Sequence, residues 1–152
     1  MSDSRANEPI LIAEDNSDDA MLLKLALQKS GSNPPIHIVE NGLKAIEYLC
    51  GDAPYNDRIA YPFPSVVYTD LKMPLKDGFE VLQWIKAHPE CSIIPVVIMT
   101  SSEQDRDIRR AYELGANSYI VKPSSLDQLT KIVKTALEYW TYCAKPAHLA
   151  KC

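Results

Sequence analysis

Short apolar runs alternate with longer segments of helical periodicity from one end of the chain to the other. Ile10-Leu11-Ile12-Ala13, bounded by Pro9 and Glu14, reads as a first strand. Ser17 predicts the cap of a helix running to about Ser30, with Gly31 as its stop, and Met21, Leu22, Leu25 and Ala26 recur on it at helical spacing. Ile36-His37-Ile38-Val39 follows Pro34-Pro35 as a second strand. Asn41 or Gly42 opens a second helix, apolar at Ala45, Ile46 and Leu49 and closed by Gly51. Residues 52–64, DAPYNDRIAYPFP, form a long loop rich in proline and aromatics. Ser65 to Thr69 is the third strand. Asp77 starts a third helix carrying Phe79, Val81, Leu82 and Ile85. Val96-Val97-Ile98-Met99 is the fourth strand, and Ser102 caps a fourth helix over Glu103 to Leu114. Tyr119-Ile120-Val121 is the fifth strand, and Ser125 opens a last helix to about Cys143.

Five strand–helix repeats predict an α/β fold, a doubly wound parallel sheet covered on both faces in three layers. Right-handed crossovers leave few orders, and the order 2-1-3-4-5 places strands one and three side by side at the switch point. Ligands of such sheets bind beyond the carboxyl ends of the strands, so the residues at those ends carry the functional question. Strand one ends in Glu14-Asp15, strand three in Asp70, strand four in Thr100-Ser101 and strand five in Lys122-Pro123. Taken singly, each has a plain structural role: a helix cap for Asp15 or Thr100, a turn aspartate for Asp70, a solvated lysine for Lys122. Together they bring three carboxylates, two hydroxyls and an ammonium to one rim.

Three carboxylates in one crevice repel one another unless a cation sits among them. A hard divalent ion such as Mg2+ suits one or two carboxylates plus waters and phosphate oxygens. Counting Glu14, Asp15 and Asp70 against Mg2+ and Lys122 leaves the site near neutral, ready for an incoming phosphoryl group. A carboxylate can accept that group as an aspartyl phosphate, with metal, lysine and hydroxyl neutralising its equatorial oxygens.

Composition narrows the classes. The chain has 152 residues, of which 46% are hydrophobic and 24% charged, and a formal net charge of −4. That is one domain of ordinary size without the broad basic footprint of a nucleic-acid or anionic-membrane binder. No apolar run approaches the ~20 residues of a membrane span, and the polar start MSDSRANEP has no signal-peptide segment, which points to the cytoplasm. Cys50, Cys91, Cys143 and Cys152 are scattered and read as free thiols. His37, His88 and His148 lie far apart with no catalytic partner nearby in sequence.

With the acidic pair Glu14-Asp15, Asp70 in "TDLKMP", Thr100 in "IMTS" and Lys122-Pro123 in "YIVKP", the chain resembles a receiver domain of two-component response regulators, with the CheY-like, flavodoxin-like fold. The resemblance covers about residues 9–143 of a single receiver domain over 1–152, the rest being a tail. It implies that Asp70 is the phosphoacceptor and that Asp15, Asp70 and Glu14 ligate Mg2+, Glu14 directly or through water. It also implies that the Lys72 carbonyl completes the protein ligands and that Thr100 and Lys122 bind the phosphoryl oxygens. In this family the bond before Pro123 is commonly cis, and Tyr119 matches the aromatic that turns inward when the threonine moves. The 52–64 loop and the long last helix most resemble the small receivers that serve bacterial phytochrome histidine kinases.

A haloacid-dehalogenase phosphatase needs a second aspartate two residues after the nucleophile, where this chain has Lys72. A flavin module needs a hydroxyl-rich loop after strand one, where this chain has the acidic Glu14-Asp15-Asn16-Ser17-Asp18-Asp19. A phosphorylation-independent pseudo-receiver that only binds partners is the stronger alternative. The expected partners are a histidine kinase, phytochrome-type by resemblance, and a downstream or phosphotransfer protein. About 30 residues follow Lys122, too few for a DNA-binding output module. On the last helix, Leu126, Leu129, Val133, Leu137 and Trp140 form a stripe for the sheet, while Tyr139, Tyr142 and Cys143 lie off it. That second set is either scattered surface tyrosines or part of a homodimer face made by helix four, strand five and helix five.

Overall fold

A computed structural model describes residues 8–31 and 33–145. Its strands are β1 (Ile10–Ala13), β2 (Ile36–Val39), β3 (Val66–Thr69), β4 (Val96–Thr100) and β5 (Ser118–Val121). They alternate with α1 (Ser17–Lys29), α2 (Gly42–Cys50), α3 (Gly78–Ala87), α4 (Asp105–Glu113) and α5 (Leu126–Tyr142). All pairings are parallel and the order is β2-β1-β3-β4-β5, as the alternating pattern predicts.

Strand periodicity sorts the core into two layers. Leu11, Ala13, Val67, Val96 and Ile98 face the side covered by α2 and α3, where they meet Ala45, Leu49, Val81, Leu82 and Ile85. Ile10, Ile12, Val66, Tyr68, Val97 and Met99 face α1 and α5, where they meet Leu23, Leu27, Leu129 and Val133. The stripe expected on the last helix is there: Leu126, Leu137 and Trp140 pack around the buried Leu129 and Val133. Central strands β1, β3 and β4 are buried along their length, whereas β5 is only half-buried, as an edge strand should be.

The buried face of α1 differs from the expected one. Ala20, Leu23, Ala26 and Leu27 are buried, while Met21, Leu22 and Leu25 are exposed. Apolar residues surround most of this helix, so periodicity alone does not choose the face; small Ala20 and Ala26 let α1 approach the sheet closely. The start of α4 also differs. Gln104, not Ser102, is its N-cap, and Ser102 Oγ instead accepts from Gln104 N and donates to Asp107 Oδ2 at 2.6 Å. Cys91 is buried and disulfide-bonded, so the free-thiol expectation fails there and holds for Cys50. Proximity in the fold, which spacing along the chain does not report, decides such pairing.

The 52–64 loop is tied to α2. Arg58 donates to the carbonyls of Tyr48 at 2.7 Å and Leu49 at 2.8 Å, adding to the bond from Gly51 N to the Tyr48 carbonyl that closes the helix C-terminus. Tyr48 Oη donates to the Pro62 carbonyl at 2.8 Å, and Tyr48, Tyr55 and Tyr61 pack ring against ring.

Candidate functional site

The sheet register builds the site directly. Ala13 pairs with Thr69, so Glu14 and Asp70 leave adjacent strands together. Asp70 N donates to the Ala13 carbonyl at 3.0 Å, which continues that ladder by one residue. Thr100 pairs with Val121, and Lys122 N donates to the Thr100 carbonyl at 2.7 Å. Residues of four elements thereby reach one crevice from distant parts of the chain.

The turn after Asp70 is held by close backbone approach. Asp70 Oδ1 accepts from Leu71 N at 2.7 Å, and Gly78 N donates to the Leu71 carbonyl at 2.9 Å. A Cβ on Gly78 would lie 2.1 Å from the Asp70 carbonyl oxygen, so the first residue of α3 must be glycine for the helix to sit against this turn. Asp77 caps α3 through Glu80 N, and Glu80 returns a bond to Asp77 N, a capping box that fixes the far end of the loop.

Lys122 Nζ is the centre of the cluster. It donates to Asp19 Oδ2 at 2.7 Å, Glu14 Oε1 at 2.8 Å and Asp70 Oδ2 at 3.0 Å. Glu14 is 6% exposed and Lys122 only partly exposed. Burial pushes the Glu14 carboxyl up to about 8, against the opposing pull of Lys122, with Asp70 adding to the rise. Asp70 moves the other way. Burial would raise it, but its bonds to Glu14 and Lys122, helped by the Thr100 hydroxyl, hold it below the usual carboxylate range. Lys122 is raised: burial favours the neutral amine, and the bonds to Asp19, Glu14 and Asp70 outweigh it. Within the cluster Glu14 is thus the acid that holds a proton most firmly, and Asp70 the one biased towards its ionised form.

Glu14, Asp15 and Asp70 each offer an oxygen within 4.8 Å of the others. An all-oxygen set of three carboxylates at that spacing fits a hard divalent cation. Lys72 lines the cleft beside Asp15, on the same side as Leu71 and Asp77. Thr100 is buried at the end of β4, and its Oγ1 accepts from Ser102 N at 3.4 Å. Tyr119 stands on β5 and donates to the Ser102 carbonyl at 2.9 Å, so one loop residue links it to Thr100. The bond before Pro123 is not cis; among the described residues the cis bond is Ala53–Pro54. Lys122 reaches the site because the β5 ladder runs on through its own N–H. Asp19 is the residue that sequence reasoning missed as part of the site. It was legible there only as one acid in a run of acids.

A parallel five-stranded sheet of this order with an acidic cluster, threonine and lysine at its carboxyl edge defines a receiver domain. Residues 10–134 match the response regulator receiver domain family, and the chain belongs to it. Among curated proteins it is 36% identical to the response regulator Rcp1 of Synechocystis sp., over 92% of this chain and 94% of that one. It is 38% identical to a probable methanogenesis regulatory protein, FilR2, of Methanothrix harundinacea, over 86% of this chain and 82% of that one. Among solved structures it is similar to the phosphorylated cyanobacterial phytochrome response regulator RcpA, with TM-score 0.83, 35% identity and coverage of 93% and 99% of the two chains. The Mn2+-bound form of Rcp1 aligns with TM-score 0.80 and 34% identity, covering 92% and 99%.

Proposed function

We propose that this chain is a phosphoacceptor response regulator, a single receiver domain with its core at about residues 9–143. A phosphoryl group passes from a kinase phosphohistidine to Asp70, and the aspartyl phosphate switches a protein-binding surface. The observation that carries this reading is the convergence of Glu14, Asp19 and Asp70 on the Lys122 ammonium at the carboxyl edge of the sheet. An ionised Asp70 oxygen attacks phosphorus; the phosphorus–nitrogen bond breaks and its electron pair leaves on the imidazole. Glu14, Asp15, Asp70 and the Lys72 carbonyl would hold Mg2+, which would supply positive charge against the phosphoryl oxygens. Lys122 turns its ammonium to one of these oxygens and Thr100 its hydroxyl to another. Movement of Thr100 is passed to Tyr119 through Ser102, the residue both contact. The chain thus catalyses its own phosphorylation while serving as a signalling protein.

The kinase is of the phytochrome type, a reading supported by likeness to RcpA, and both partners act in the cytoplasm. None of the described helices is long and apolar enough to cross a membrane. Exposed Met21, Leu22 and Leu25 on α1 offer the kinase an apolar surface beside the site. The downstream partner is a protein, and a second copy of the chain docks through α4, β5 and α5. Tyr139 and Tyr142, 62% and 87% exposed, suit such a contact because tyrosines are common interface anchors. Light scattering in reductant, with and without a phosphoryl analogue, tests the dimer; a monomer in both states at tens of micromolar rules it out.

The central test is Mg2+-dependent labelling by acetyl phosphate and by phosphorylated phytochrome-type kinases. The wild-type chain should take one phosphoryl group and Asp70→Asn none. A wild-type chain that takes no label under any of these conditions is a pseudo-receiver, and labelling that survives in Asp70→Asn moves the acceptor elsewhere.

A further inference from the structure

We propose that Asp19 is a positioning residue that holds the Lys122 ammonium in the resting state and competes with the phosphoryl group for it. This rests on the receiver reading above. An ammonium has three N–H donors, and those of Lys122 are all taken, by Asp19, Glu14 and Asp70. To bind a phosphoryl oxygen, Lys122 must release one acceptor.

The geometry selects which. Glu14 and Asp70 belong to the three-carboxylate cluster that fits a cation, and Asp19 does not. Asp19 is also the most exposed of the three, at 38% against 6% for Glu14 and 12% for Asp70. Water can therefore solvate its carboxylate on release, whereas the buried acids would be left without a partner. Asp19 stands in the first turn of α1, where its N–H is bonded to the Asn16 cap and the helix dipole favours its charge with or without Lys122. Releasing Asp19 is thus the cheapest way to free a donor. It also makes the ion pair a strap between α1 and the end of β5 that an incoming phosphoryl group must undo.

Two effects of opposite sign follow. Without the Asp19 charge, Lys122 is easier to draw onto a phosphoryl oxygen, and the site repels an anion less. The same change leaves Lys122 more firmly on Glu14 and Asp70, where it opposes a metal. Asp19→Asn should therefore bind beryllofluoride, at saturating Mg2+, about 2- to 5-fold more tightly than wild type, the range expected for a partly exposed ion pair. Its affinity for Mg2+ alone should fall by a similar factor. Asp19→Ala should move further in both directions, and Asp19→Glu, which keeps the charge, should return towards wild type. In a Lys122→Met background, Asp19→Asn should lose most of its effect on beryllofluoride.

Beryllofluoride binding is followed by 19F NMR and Mg2+ binding by calorimetry, with thermal melts confirming that each variant is folded. Unchanged beryllofluoride affinity in both Asp19→Asn and Asp19→Ala overturns the proposal. So does a parallel loss of both ligands with a lowered Tm, the signature of a residue that only supports the fold. If the wild-type chain binds neither Mg2+ nor beryllofluoride, the receiver reading itself fails, an outcome distinct from either of these.

Discussion

Replacing Glu14 with glutamine tests the electrostatics of the site before any phosphoryl group arrives. The Glu14 carboxyl is 6% exposed, and burial lifts it from 4.5 to about 8. In the unfolded chain it titrates at its ordinary value, so between these limits the folded protein keeps a proton that the unfolded chain has lost. The stabilisation from this group is complete below pH 4.5, and it is lost as pH rises towards 8. At about 1.4 kcal/mol per pH unit, the loss between pH 5 and pH 8 is about 3–4 kcal/mol. Glutamine has the same shape and no proton to lose. Urea unfolding in EDTA, followed by the fluorescence of Trp84 and Trp140, should show Glu14→Gln gaining on the wild-type chain by about this amount across that range. Groups that titrate in both proteins cancel in the difference. The acid also couples to the metal: wild-type Mg2+ affinity should rise up to about tenfold per unit below pH 8, while Glu14→Gln lacks this term. Stability curves that run parallel from pH 5 to pH 8 would refute a raised Glu14 acid.

Asp15→Asn removes one of the three carboxylates that share the cation site, and calorimetry should show Mg2+ affinity down by about tenfold or more; unchanged affinity misplaces the metal. Tyr68 has its hydroxyl buried on the α1–α5 face without a hydrogen-bond partner among the described residues. Tyr68→Phe should therefore raise unfolding stability by about 1–2 kcal/mol, and a loss instead would mean that the hydroxyl is satisfied in solution.

Much of this protein is legible along its chain. Short β-branched runs between helical segments determine five strands, and their alternation determines a parallel sheet, because only crossover helices join parallel neighbours in this way. Asn41, Asp77 and Ser125 are N-caps and Gly51 closes α2 with φ 76°, each where local chemistry puts it. Glu14, Asp15, Asp70, Thr100 and Lys122 were all visible as strand-end residues, since a parallel sheet gathers its carboxyl ends on one edge whatever the packing around them.

Only the tertiary structure decided the rest, because it depends on which groups meet. The buried face of α1 follows from the fit of Ala20 and Ala26 against the sheet, among apolar residues that are otherwise equivalent. Ser102 is drawn away from a capping role by Asp107, and Lys122 reaches the site along the β5 ladder without a cis bond. Arg58 closes α2 from a loop that sequence could not place. Asp19 and Lys122 are 103 positions apart, and their contact exists because α1 and the end of β5 stand side by side above Asp70. The raised Glu14 acid has the same origin: burial and the neighbouring Asp70 lift it against the pull of Lys122, and burial is a property of packed neighbours, not of the order of residues along the chain.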